Sequence, residues 1–119
     1  MVEDNPFVVH LCDQLESLGS VQVKNMFGGQ GVFLDNLMFG LISDDVLYLK
    51  ADEENEQTFI DLDLEQFTYH KKGKPFSLSY FEAPESALDN EDELVDWAKQ
   101  AYGAALRAAK KKKERAAQV

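Results

Sequence analysis

Cysteine occurs once in this 119-residue chain, histidine twice and proline three times, and no apolar run approaches the roughly 18–20 residues that a membrane span requires. Each scarcity removes a class of protein. A single cysteine, Cys12, cannot build an internal disulfide framework and suits a reducing compartment. One Cys with two distant His, His10 and His70, lacks the short paired spacings of a zinc site, and no metal or other cofactor is expected. The segment Met1 to Pro6 has neither the basic start nor the apolar stretch of a secretion signal, so the expected location is cytoplasmic, away from membranes. Basic residues are also scarce over most of the chain. Residues 1–106 hold 21 acidic and 6 basic side chains, a balance of −15, whereas residues 107–119 hold 6 basic and 1 acidic, a balance of +5. What is abundant is apolar: 45% of residues are hydrophobic, enough for one soluble domain that buries roughly two-thirds of its unfolded surface. The expected organisation is a domain over 1–106 with a basic helical tail over 107–119.

Periodicity supplies the elements. Asp4-Asn5-Pro6 announces a helix start, and Val8, Leu11, Leu15 and Leu18 recur on one face until Gly19-Ser20 ends it. Val21-Gln22-Val23 alternates, Met26-Phe27-Gly28-Gly29 breaks the regularity, and Gly31 to Leu34 resumes an extended run. Turns at Asp35-Asn36 and at Ser43-Asp44-Asp45 then give an antiparallel meander of three strands, because such brief connections cannot hold a parallel crossover. Asp52 can cap a short helix to about Ile60, thin in apolar content. A hairpin follows, Phe67–His70 against Phe76–Tyr80, with Phe76, Leu78 and Tyr80 alternating with serines to mark one buried and one wet face. Asn90 and Glu93 form a capping pair for a long last helix whose stripe is Leu94, Ala98, Ala101, Ala105 and Ala109, widened by Val95, Trp97, Tyr102 and Leu106. The order is α-β-β-β-α-β-β-α, an α+β two-layer fold with an antiparallel sheet of about five strands.

Catalytic chemistry finds little support, and the chain is read as no enzyme. Cys12 lies on the core side of the first helix, where a helix interior lowers no thiol pKa, and reads as a small buried hydrophobe. His10 and His70 read as surface residues without a nucleophile placed to use them. Asp61-Leu62-Asp63-Leu64-Glu65 imitates a calcium loop but fails at Gln66, where glycine is needed, and at Lys72, where a bidentate Glu should stand. Gly28-Gly29-Gln30-Gly31 precedes a strand rather than a helix, so it reads as a bulge or a positive-φ path and not as a phosphate cradle. Two groups of cations remain as contact candidates: Lys71, Lys72 and Lys74 at the hairpin, and Lys110, Lys111, Lys112 and Lys113 in the tail. They point to nucleic acid or to an acidic protein surface, although a −15 body repels a phosphate backbone.

Lys24-x-Met26-Phe27-Gly28-Gly29-x-Gly31-Val32-Phe33 resembles the N-terminal domain of the TfoX/Sxy family. The resemblance continues through Asp35-Asn36, Phe39-Gly40-Leu41-Ile42, Leu47-Tyr48-Leu49-Lys50-Ala51-Asp52, Phe67-x-Tyr69, Lys72-Gly73-Lys74 and Ser79-Tyr80-Phe81 with Pro84, across roughly residues 5–106. It implies a two-layer fold similar to secretion-chaperone-like and YjbR-like domains, and a bacterial setting. Full-length relatives regulate natural transformation competence together with a catabolite-responsive transcription activator, and they carry a second, helical C-terminal domain. The first motif position is usually arginine in that family, and Lys24 keeps its charge without the bidentate fork. Lys24, Met26, Phe27, Gly28, Gly29, Gly31, Tyr48, Gly73 and Tyr80 are expected to serve mainly the fold, with Met26, Phe27, Phe33, Phe39, Tyr48 and Tyr80 in the core or at a dimer surface. The leading expectation is a homodimeric, non-enzymatic accessory or regulatory protein-interaction module, with a protein partner in transcriptional or competence regulation. The alternative is a nucleic-acid-binding protein that uses the basic hairpin loop and the lysine-rich tail.

Overall fold

The computed structural model describes residues 6–26 and 29–117. Helix α1 (Pro6–Gln14) opens on proline, whose missing N–H costs nothing in a first turn, while the expected cap at Asp4 and Asn5 lies outside the described residues. The helix ends before its apolar stripe does, because Leu18 N–H reaches back three residues to Leu15 O (3.0 Å) and tightens Glu16–Leu18 into a 3₁₀ turn. Val8, Leu11 and Leu15 are buried as the stripe requires.

Among the described residues six strands form one antiparallel sheet: β1 (Val21–Met26), β2 (Gly29–Leu34), β3 (Leu37–Ser43), β4 (Val46–Lys50), β5 (Gln66–Lys71) and β6 (Lys74–Glu82), in the order β1-β2-β3-β4-β6-β5. The α+β architecture is as expected, with one strand more than the sequence pattern marks. Val21–Met26 pairs with β2, Val21 opposite Leu34 and Met26 opposite Gly29, so the short alternation at Val21–Val23 was the start of an edge strand. Three hairpins close through two residues at positive φ: Asp35 (52°) and Asn36 (64°), Asp44 (51°) and Asp45 (59°), Lys72 (54°) and Gly73 (76°). This mirror-image turn matches the right-handed twist of the strands it joins.

Helix α2 (Glu56–Asp61) lies on the connection from β4 to β5 and buries one side chain, Phe59, stacked on Phe81 (5.3 Å between ring centroids) and tilted against Trp97 (5.1 Å). Helix α3 (Glu91–Ala117) begins with Asn90 Oδ1 accepting the Glu93 N–H at 3.0 Å, while the Glu93 carboxylate takes the Ser86 hydroxyl (3.2 Å) instead of completing a capping box. Its Leu94, Ala98, Ala101 and Ala105 enter the core with Phe39, Leu47, Leu49 and Phe81. Ala109 is exposed and Leu106 is half exposed, so the stripe leaves the core after Ala105 although the helical period continues. Asn55 is the buried polar residue among those described. Its Oδ1 accepts the Asp52 N–H (2.7 Å), and its Nδ2 donates to the carbonyl oxygens of Lys50 (3.1 Å) and Gln100 (3.4 Å), which ties the end of β4 to α3. No described helix is long and apolar enough to cross a membrane.

Candidate partner-binding face

Alternation along β4 sends Leu47 and Leu49 into the core and leaves Tyr48 and Lys50 on the opposite face of the sheet. The register carries that face across the strands: Tyr48 opposes Leu41 and Glu82, Leu41 opposes Gly31, Gly31 opposes Lys24, and Lys50 opposes Tyr80. Leu41 and Tyr80 are only 1% and 8% exposed, yet both stay outside the main core cluster, so the second face has an apolar layer of its own. Two lysines lie over its rings, Lys24 Nζ 4.9 Å from the Phe33 centroid and Lys50 Nζ 5.1 Å from that of Tyr80. Burial pushes the Tyr80 phenol up to about 12, so it stays protonated, and burial lowers the Lys50 ammonium against the opposing pull of Asp52.

The motif glycines belong to this layer for a reason other than the one expected. Neither Gly29 nor Gly31 has a positive φ, and the irregular step of β2 falls between Val32 and Phe33. What they permit is close approach. A Cβ on Gly31 would meet the side-chain ends of Met26, Phe33 and Met38, and one on Gly29 would overlap the Ile42 carbonyl oxygen of the neighbouring strand. Phe27 and Gly28 lie outside the described residues. Phe39, also expected on the core or the dimer surface, is fully buried against Tyr102 (5.9 Å, edge to face) and belongs to the core.

From Tyr48 a row of rings leads outward. Tyr48 contacts Phe67 (5.0 Å), Phe67 stacks on Tyr69 (6.2 Å), and Tyr69 stacks on Phe76 (5.7 Å). Exposure rises along the row, to 38% at Tyr69 and 43% at Phe76. The alternation in β6 had marked Phe76, Leu78 and Tyr80 as one buried face, and only Tyr80 is buried. Lys74 to Leu78 run past the end of β4 and pair with β5 alone, so the correct period meets no second layer there. Charge changes sign along the same row. The Tyr48 phenol is raised by burial and then by the nearby carboxylates Glu82, Glu65 and Asp44, while the far end carries the exposed Lys71, Lys72 and Lys74.

The other candidates are dispersed. Cys12 is half-buried rather than buried, in a groove between α1 and β1 beside Val8, Val23 and Asp13; burial, then Asp13, raises its thiol, which disfavours the nucleophilic thiolate. His10 is exposed with Nε2 3.0 Å from Leu88 O, and His70 is exposed on β5. No group of three or more His, Cys, Asp or Glu among the described residues could hold a metal ion.

The tail cations divide between two sides of α3. Arg107 Nη2 donates to Asp52 Oδ1 (2.9 Å), its Nε faces both Asp52 Oδ2 and Glu54 (3.0 Å), and Lys111 reaches Glu53 (3.1 Å). Asp52 does not cap α2 as expected, since Asn55 holds the N-cap position without a side-chain cap bond; the Asp52 carboxylate accepts the N–H groups of Glu54 (3.0 Å) and Asn55 (3.3 Å) and so closes the turn that precedes the helix. Lys112 and Lys113 instead line a cavity with Lys50 and Tyr80, and Lys110 is exposed. The link between Asp52 and Arg107, 55 positions apart, left one trace in the sequence: two cations four residues apart and an acidic run of matching length.

The Arg107 hydrogen bonds, then those from Glu54 and Asn55, hold the Asp52 carboxyl below its ordinary value. A depressed folded value gives stability that is complete above the unfolded value of about 3.9 and is lost as pH falls through the folded one. Arg107→Met is therefore expected to cost about 1 kcal/mol at pH 7, limited by a guanidinium that is one-third exposed. In urea unfolding, the difference from the parent should close in increasingly acid buffer, and a gap constant with pH would refute the linkage.

The TfoX N-terminal domain family matches residues 13–105. Protein Sxy of Escherichia coli (strain K12) is 32% identical over 95 residues, 80% of this chain and 46% of that protein. DNA transformation protein TfoX1 of Aliivibrio fischeri is 34% identical over 71 residues, 60% of this chain and 34% of that protein. The chain thus spans less than half the length of these curated relatives.

Proposed function

The chain belongs to the TfoX N-terminal domain family, and from that membership we propose that it is a competence-regulator-like protein of the bacterial cytoplasm. It acts as a non-enzymatic interaction module that self-associates and engages a protein partner in transcriptional or competence regulation. One observation carries the reading: the row Tyr48, Phe67, Tyr69 and Phe76, acidic at its half-buried end, basic at its exposed end, with two large rings open to solvent. Aromatic rings in an exposed patch are the usual anchors of protein interfaces. A two-fold pairing of such rows sets the lysine tip of each copy against the carboxylates around Tyr48 of the other.

Light scattering on a sizing column across micromolar concentrations tests it. The parent is expected to be dimeric, and Tyr69→Ser with Phe76→Ser to be monomeric while folding stability changes by no more than about 0.5–1 kcal/mol, because neither ring is in the core. A parent that stays strictly monomeric overturns the self-association. Salt-sensitive binding of single-stranded nucleic acid by a monomeric parent would instead favour the alternative, in which the tip lysines contact phosphate and the exposed rings stack on bases.

A further inference from the structure

Where the last turns of α3 pass the end of β4, a cavity of about 570 Å³ opens between Lys50, Lys112 and Lys113. Its walls are apolar: Leu37, Met38 and the Tyr80 ring on the sheet side, alanines on the helix side. Its volume is that of a small-molecule site, about 300–1,000 Å³, and it opens widely to solvent. The charge of the cavity is opposite to that of the chain. In a protein with 22 acidic side chains, none of these three lysines reaches a carboxylate within ion-pair distance among the described residues. Their neighbours on α3 behave differently, since Arg107 and Lys111 are both paired with the Asp52–Glu54 run.

The arrangement follows from helix geometry. Positions 105, 108, 109 and 112 share a face, so small side chains there keep α3 close to the sheet end and Lys112 comes to the rim, while positions 107 and 111 face the acidic loop. Lys50 is the fixed element. It leaves β4 opposite Tyr80, is half-buried, and rests its ammonium over the Tyr80 ring. A cation–π contact compensates a desolvated ammonium only in part, and the carboxylate whose charge acts on Lys50, Asp52, is held by Arg107.

We infer that this cavity is a binding site for a small organic anion, with the negative head between Lys50, Lys112 and Lys113 and an apolar body against Met38 and Tyr80. The lining includes none of Tyr48, Phe67, Tyr69 and Phe76, although Lys50 and Tyr80 lie on the same sheet face, so the two proposals are tested by different side chains.

Titration of the full-length protein by ¹⁵N–¹H spectroscopy with phenyl phosphate, inorganic phosphate and benzylamine tests it. Phenyl phosphate is expected to shift the amides of Met38, Lys50, Tyr80 and residues 105–113 saturably, and to bind more tightly than phosphate, because only the former fills the apolar wall. Benzylamine, of similar shape and opposite charge, should not bind there. Lys50→Met should weaken phenyl phosphate about tenfold, Lys112→Ala with Lys113→Ala by a similar factor, and Lys110→Met not at all, since Lys110 does not line the cavity. If Lys50→Met fails to fold, the exposed double variant decides alone. Shifts confined to the hairpin lysines, equal affinity for phosphate and phenyl phosphate, or affinity unchanged in both lysine variants would each overturn the proposal.

Discussion

Phe59→Ala will lose about 3–5 kcal/mol of folding stability, the scale of a large aromatic removed from a packed interior. Phe59 is fully buried, and it is the one core side chain that α2 contributes. Its ring is held between Phe81 of β6 and Trp97 of α3, so truncation removes two aromatic contacts and leaves a void between the sheet and the helix layer. Domains of this size are stable by about 5–15 kcal/mol, so the variant should melt on the order of 10 °C lower or more. Phe59→Leu should recover most of the loss, because volume is largely kept. Trp97 is the sole tryptophan and touches the substituted ring, which makes its fluorescence in urea a direct reporter. A cost below about 1 kcal/mol would mean that α2 is not anchored as described.

Gly29→Ala should be the other damaging change, at about 2–3 kcal/mol, although it adds a single methyl group. The added Cβ would overlap the carbonyl oxygen of Ile42 and lie 3.4 Å from the Ser43 Cα. Both are backbone atoms of β3, which cannot rotate aside as a side chain can, so β2 and β3 must separate where Gln30 pairs with Ile42. Gly73→Ala makes the instructive comparison. It has φ +76 and nothing within 4 Å, so it meets strain without collision and should cost about 1 kcal/mol. Elsewhere a glycine-to-alanine change gains about 0.4–1 kcal/mol from a stiffer unfolded chain, a gain too small to reverse either result. Denaturant midpoints rank the two variants, and hydrogen exchange at the Ile42 and Ser43 amides should rise in Gly29→Ala alone. Equal costs for both variants would show that strand crowding at Gly29 is not the cause.

How much of this was legible beforehand depended on the reach of the interaction. The hairpin turns at Asp35-Asn36 and Asp44-Asp45 were readable, since two adjacent residues at positive φ are favoured by Asn and Asp side chains acting on their own backbone. The start of α3 was readable for the same reason, although Glu93 found Ser86 instead of the Asn90 amide. Strand β1 was visible as three alternating residues and not as a strand, because an edge strand with exposed Gln22, Lys24 and Asn25 has no continuous apolar pattern. Cys12 had the period of a core residue but is half-buried, since period reports a face and not what lies against it. The apolar content of α2 is thin, as its sequence shows, yet its one phenylalanine is among the most buried side chains of the described residues.

The candidate site divides in the same way. The motif residues were identified as a set, and Lys24, Met26, Gly31, Tyr48 and Tyr80 do share the sheet face away from the core, because strand alternation is a local property that the antiparallel register extends across neighbours. The hairpin lysines read as a basic loop over 71–75; the structure narrows that loop to the two-residue turn Lys72-Gly73 and places Lys71 and Lys74 opposite each other in the strands. By itself, then, the sequence determined the helices and five of the six described strands, the turns at Asp35-Asn36 and Asp44-Asp45, most of the core-facing positions of α1 and α3, and the family. Only the tertiary structure decided which tail cations are paired, why Gly29 must be glycine, and that Lys50, Lys112 and Lys113 surround one cavity. Those outcomes depend on contacts between residues about 15 to 60 positions apart, whose energies exist only once the chain has closed, and no local periodicity carries them.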